Sequence, residues 1–126
     1  MIDPKTFKYE SSRWKDLYKF LKSKGYDVYS PGQKLGDCRS EYLVVKYEGP
    51  VKLSNVSSSN EIYSITCNVP KNNYSRLNEL VTEVKEFMKE LKPLFSTYDL
   101  GQALSFYDDT IQSHSMTIEY KVYRKD

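Results

Sequence analysis

The chain has 126 residues, enough for one domain and one core, and its 19 basic and 17 acidic residues leave a net charge of +2. So even a balance argues against a dedicated nucleic-acid binder with its basic stripe, and no stretch approaches the ~20 apolar residues of a membrane span. Twelve tyrosines are the compositional oddity, and a ring that packs while its hydroxyl reaches water suits sheet surfaces and interfaces alike.

Residues 1–10 are polar and read as a loose lead-in without the apolar run of a secretory signal, which places the chain in a cytoplasm. Ser11 or Ser12 is the expected cap of a first helix over residues 12–24. Trp14, Leu17, Tyr18 and Leu21 form its apolar stripe, with Phe20 at the margin, while Lys15, Asp16, Lys19 and Lys22 face water. Gly25 is the expected left-handed terminator. Residues 26–29 form a short extended piece, and Pro31, Gly32 and Gly36 mark a loop that lasts to Arg39. Residues 41–48 read as a strand, with Leu43, Val45 and Tyr47 on one face and Tyr42, Val44 and Lys46 on the other, broken by Gly49 and Pro50. Residues 51–60 read as a long connection, softened at its end by Ser57, Ser58, Ser59 and Asn60. The strand over 61–69 points Tyr63, Ile65, Cys67 and Val69 inward and Ser64, Thr66 and Asn68 outward. The two strands make an antiparallel hairpin with an oversized tip.

The main helix covers residues 74–91, capped by Asn72, Asn73 or Ser75 and stopped by Pro93. Tyr74, Leu77, Leu80, Val81, Val84, Phe87, Met88 and Leu91 fall on one stripe of a 3.6-residue helix. Burying such a stripe gives a gross term on the order of 10–20 kcal/mol, an upper estimate, so the helix must lie on a sheet. Residues 94–100 link it to the last unit. Residues 102–107 suggest a strand with Leu104 and Phe106 inward, Asp108 and Asp109 open a turn, and residues 115–124 are the clearest strand. There Met116, Ile118, Tyr120 and Val122 share one face, and Thr117, Glu119, Lys121 and Tyr123 the other, before a solvated end at Arg124, Lys125 and Asp126. The order predicts a single α+β domain over 1–126: a mostly antiparallel sheet of four or five strands with two helices packed on one face.

Candidate chemistry is sparse. His114, the lone histidine, reads as an exposed turn residue beside Ser113 and Ser115, and with Cys38 and Cys67 it falls short of a zinc site. The two cysteines read as free thiols, Cys67 in the core, with a disulfide open only if their strands are neighbours. Asp108 and Asp109 are adjacent, which on an extended chain sends them to opposite faces, so a polar turn is expected. The loop around Gly32 and Gly36 matches no phosphate cradle. Lys46, Lys52, Lys71 and Arg76 lie among tyrosines as in a single-strand-binding face, but Glu41, Glu48 and Glu61 are interleaved with them. No catalytic residue, cofactor or metal ligand is assigned, and the chain reads as a protein without enzymatic activity.

The pattern resembles the tail terminator, or tail completion, proteins of tailed bacteriophages. The matching parts are the amino-terminal helix, Glu41-Tyr-Leu-Val-Val-Lys-Tyr-Glu48 as the first long strand, and Tyr63-Ser-Ile-Thr-Cys-Asn-Val-Pro70 after the loop. Tyr74-Ser-Arg-Leu-Asn-Glu-Leu-Val81 then opens the main helix, and Met116-Thr-Ile-Glu-Tyr-Lys-Val-Tyr-Arg124 closes the chain. The resemblance implies a structural protein of a phage, prophage or tail-like bacteriocin. It forms a ring, typically hexameric, on the head-proximal end of the tail tube, stopping tube growth and offering a docking surface to the head. Its implied partners are other copies of itself, the major tail tube protein and a head-completion protein, with DNA passing through without specific binding. Its implied location is the virion tail, reached from the bacterial cytoplasm. Loops that order against a partner are the expected contact points, which nominates Lys34 and Arg39 in one loop and Lys52, Asn55, Ser58 and Asn60 in the other. A head-tail adaptor or head-closure protein is the nearest alternative, and a small nucleic-acid-binding domain a more distant one.

Overall fold

The computed structural model describes residues 9–52, 58–91, 95–97 and 104–125. Helix α1 (Tyr9–Ser23) and a short strand β1 (Val28–Tyr29) precede a hairpin of β2 (Tyr42–Lys52) and β3 (Ser58–Pro70). Helix α2 (Ser75–Met88) follows and ends in a 3-10 turn over Lys89–Leu91. Strands β4 (Ser96–Thr97), β5 (Phe106–Asp108) and β6 (Ser113–Lys125) complete the order.

The sheet runs β1-β2-β3-β6-β4, and β5 also pairs with β6. Both β4 and β5 lie on the free edge of β6, opposite Tyr120 and Lys121 in one case and residues 113–115 in the other. Six strands thus make a sheet five strands wide. Only the β1–β2 pairing is parallel, so the domain is α+β with a mostly antiparallel sheet, as its pattern predicts.

Both helices cover the same face. Leu43, Val45, Tyr63, Ile65, Cys67, Val69, Ile118, Tyr120 and Val122 project from the sheet into one core with Leu17 and Leu21 of α1 and Leu77, Leu80, Val81, Val84 and Met88 of α2. The helix stripe and the strand alternations therefore do what their spacing predicts. Gly25 ends α1 with φ +96° while its amide donates to the Lys22 carbonyl at 3.0 Å.

Several elements depart from the pattern. The first helix starts at Tyr9, so Ser11 and Ser12 lie within it rather than at its cap. No side chain caps α2; Tyr74 holds the cap position in helical geometry, and the turn is closed by Arg76 and Leu77 amides donating to the Asn73 and Tyr74 carbonyls. Tyr74, in line with the apolar stripe by spacing, is exposed rather than buried. Strand β4 lies within the expected link over 94–100. Leu104 and Phe106, expected inward, are exposed, because Phe106 pairs with Ser115 on the sheet face away from the helices. Ser64 and Asn68 do face away from the helices, yet they are buried.

The largest difference is the hairpin. Gly49 and Pro50 do not end β2; the strand continues to Lys52, and Ser58–Asn60 is strand rather than soft tip. The connection shrinks to residues 53–57, which lie outside the described residues and include Asn55. The register explains how a proline is accommodated. It slips by one residue between Tyr47 and Gly49, and Gly49 takes φ +112°. Pro50 then stands opposite Glu61. Leu43 turns its amide outward to the Asp27 carbonyl, so its partner Cys67 turns to β6, and by alternation so does Glu61. The Pro50 nitrogen therefore faces away from β3, where no ladder bond is lost.

Candidate interaction surfaces

The sheet face opposite the helices carries Val44, Thr66 and Thr117 in one cross-strand row and Lys46, Ser64 and Glu119 in the next. Thr66 and Thr117 hydroxyls meet at 2.9 Å, and Glu48 accepts from Ser64 at 2.7 Å beside Lys46 at 3.4 Å. Two of the tyrosines that a base-stacking face would use lie on the helix side instead. Tyr63 and Tyr120 are in the core, Tyr63 against Phe95 and Tyr47 at centroid distances of 5.6 and 5.2 Å.

One end of this face is roofed by the loop between β1 and β2. The Cys38 amide donates to the Ile111 carbonyl at 2.7 Å, tying the loop to the β5–β6 turn. Beneath it the Ser115 hydroxyl donates to Asn68 Oδ1 at 2.6 Å and shares a 2.8 Å bond with the Ser113 hydroxyl. Burial pushes the Cys38 thiol up, outweighing its contacts with Ser113 and Lys34. This roof is why Asn68, an outward position by alternation, is dry.

On the helix side Arg76, Glu41, Glu83 and Tyr26 form a structural clamp. Arg76, at the start of α2, makes a two-pronged pair with Glu41 at 2.8 and 3.0 Å and another with Glu83 at 2.7 and 3.1 Å. Tyr26 donates to Glu83 at 2.9 Å. The hydrogen bonds to Glu41 and Glu83 raise the Arg76 pKa, those from Arg76 and then Tyr26 lower that of Glu83, and burial followed by the Glu83 bond raises that of Tyr26. The clamp joins α2 to β2 and to the approach to β1.

His114 is not in a turn. It is the second residue of β6, half-buried, with its ring 4.8 Å from that of Tyr74 and 5.1 Å from that of Tyr107. Gln112, with φ 53°, accepts from Tyr107 at 3.0 Å and Lys71 at 3.3 Å. Asp108 accepts from both the amide and the hydroxyl of Thr110, the polar turn its sequence suggests. Among the described residues no three His, Cys, Asp or Glu side chains gather into a metal-holding group.

Compared with protein-family models and with curated proteins, the chain matches none of them.

What the surface offers instead is apolar area. The exposed large hydrophobics among the described residues are Leu35, Tyr74, Leu104, Phe106 and Tyr107. All belong to one end of the sheet, where β2 begins, β3 ends, and the loop, the α2 start and β5 converge. Lys34 and Arg39 are at this end, Lys34 with its ammonium 5.9 Å above the Tyr42 ring. Lys52, Ser58 and Asn60 are at the other end, where the hairpin pairs Lys52 with Ser59 and residue 51 with Asn60. The nominated residues therefore belong to two separate surfaces. The aromatic members of the first surface escape sequence reasoning because they come from segments far apart in the chain.

The β2 edge is guarded. The Trp14 indole donates to the Val45 carbonyl at 2.7 Å, β1 covers Leu43 and Val44, and beyond Tyr47 the bulge and Pro50 interrupt any regular row of donors.

Proposed function

We propose that this protein is a structural component of a phage or prophage particle that caps the head-proximal end of the tail tube as a ring of copies. In this reading it ends tube growth, presents a docking surface to the head, and has no enzymatic activity. The observation that carries the reading is the spatial order of elements. An amino-terminal helix, a long β2–β3 hairpin, a second helix on the same face and a long terminal strand beside β3 follow the sequence pattern that resembles the tail terminators. The exposed apolar end supports a role in protein contacts, since such patches on soluble proteins mark interaction sites.

A head-tail adaptor or head-closure protein is the second reading, favoured by the same features, and differs in which neighbour is bound. The single-strand-binding reading loses its support with Tyr63 and Tyr120 in the core. Light scattering across a concentration series, with electron microscopy of large species and co-assembly with the tail tube protein, tests the proposal. Rings of about six copies that stop tube elongation are expected. Uninhibited tube growth in their presence rejects the cap, and binding to a head-completion protein alone favours the adaptor.

A further inference from the structure

The two edges of the sheet carry complementary chemistry. At one edge α1 lies beside β1 and β2 and turns Lys15, Lys19 and Lys22 to solvent. Their spacing of four and three residues makes one basic stripe, flanked by the exposed Asp16. Next to it are the half-buried rings of Trp14 and Tyr18, stacked at 5.0 Å. At the opposite edge, with β3 and β6 between, β5 presents Phe106 and Tyr107, preceded by Leu104 and followed by Asp108 and Asp109. Asp109 is exposed, and its turn is held by Gln112 donating to the Asp109 carbonyl at 2.8 Å.

We propose that copies of this chain bind head to tail, the basic, aromatic α1 edge of one against the apolar, acidic β5 edge of the next. The inference rests on the ring reading and names the two faces that build the ring. Contact between different faces is heterologous, and repetition of such a contact closes into a ring or runs on as a filament. Charge favours this pairing: two α1 edges bring exposed lysines together, and two β5 edges bring Asp109 against Asp109 with only Lys71, held to Gln112, beside each, so contacts between like edges are disfavoured. The guarded β2 edge keeps the contact between side chains and prevents it from becoming one continuous sheet. The Tyr107 ring is already fixed by His114 and Gln112, so little freedom is lost on contact.

The test uses sedimentation of the full chain across a concentration series, with two surface variants. Lys19→Glu with Lys22→Glu makes the α1 edge acidic, and Asp109→Lys makes the turn basic. The wild type is expected to associate, and each variant alone to associate about tenfold more weakly or less. An equimolar mixture is expected to recover, because each acidic α1 edge then meets a basic turn and each basic α1 edge meets an acidic one. A mixture as dissociated as its parts, variants that associate like wild type, or a wild type monomeric throughout overturns the proposal. Wild-type rings indifferent to all three substitutions remove these faces and leave the ring. Association through these faces by a species that never caps a tube removes the cap and leaves the contact.

Discussion

The Trp14 indole nitrogen lies 2.7 Å from the Val45 carbonyl oxygen, so a helix side chain takes the place of a neighbouring strand at the edge of the sheet. The bond orients α1 along β2 and removes a carbonyl that another chain's strand could use. Trp14→Phe keeps much of the ring and deletes the donor. It is expected to destabilise the fold by about 1–3 kcal/mol, the cost of leaving a partly buried carbonyl unpaired. Urea unfolding reads this directly, and an unchanged midpoint shows that water replaces the indole without loss.

Gly49 gives a second, purely conformational prediction. A Cβ built at this position meets nothing within 4 Å, so a side chain has room. Its φ of +112°, however, is backbone that side-chain-bearing residues avoid. Gly49→Ala is expected to cost about 1–3 kcal/mol through strain at the bulge. If the bulge is where the hairpin's register is set, the loss should be accompanied by faster amide exchange at Val51 and Asn60. A variant as stable as the parent refutes the strain argument.

These two sites mark where local pattern is enough and where it is not. The α2 stripe from Leu77 to Met88 and the alternation of Tyr63, Ile65, Cys67 and Val69 are legible because each is a single period imposed by one buried face. Pro50 misleads because proline excludes only positions whose amide is needed, and the one-residue slip places it where none is. Tyr74 keeps the spacing of the α2 stripe but sits at its cap, and its ring goes to His114 across the chain. Phe106 is turned outward by its pairing with Ser115, a register no local window contains. The apolar end is a product of topology, since Leu35, Tyr74 and Tyr107 come from a loop, a helix start and an edge strand.

The Arg76 clamp predicts a pH dependence. Hydrogen bonds from Arg76, and then Tyr26, hold the Glu83 carboxyl below its ordinary 4.5. A carboxyl depressed in the folded state contributes stability above its unfolded pKa and loses it as pH falls through the folded value. The contribution is therefore present at pH 7 and fades in the acid range below about 4.5. Because Glu83 is 43% exposed, solvent screening keeps it below about 1 kcal/mol. Arg76→Met should be less stable than wild type at neutral pH, with the gap narrowing as the pH is lowered toward 3. A gap that is constant with pH assigns the effect to packing of the Arg76 stem.

The two thiols lie on opposite sides of the sheet, Cys67 under the helices and Cys38 within the β1–β2 loop, and both are free. Their separation removes the disulfide that neighbouring strands would have allowed. Burial pushes the Cys67 thiol up to about 12, and Cys38 is also raised by burial. Thiolate is the reacting form, so at pH 8 neither sulfur has much of it or is reachable in the native state. A thiol reagent is therefore expected to label neither cysteine natively and both after unfolding, with labelling rates that follow opening events. Cys38 should open first, because it belongs to a loop whose backbone is held at Ile111 by the Cys38 amide, whereas exposing Cys67 requires α2 to leave the sheet. Simultaneous labelling of both, tracking global unfolding, shows instead that the loop and the core open as one unit.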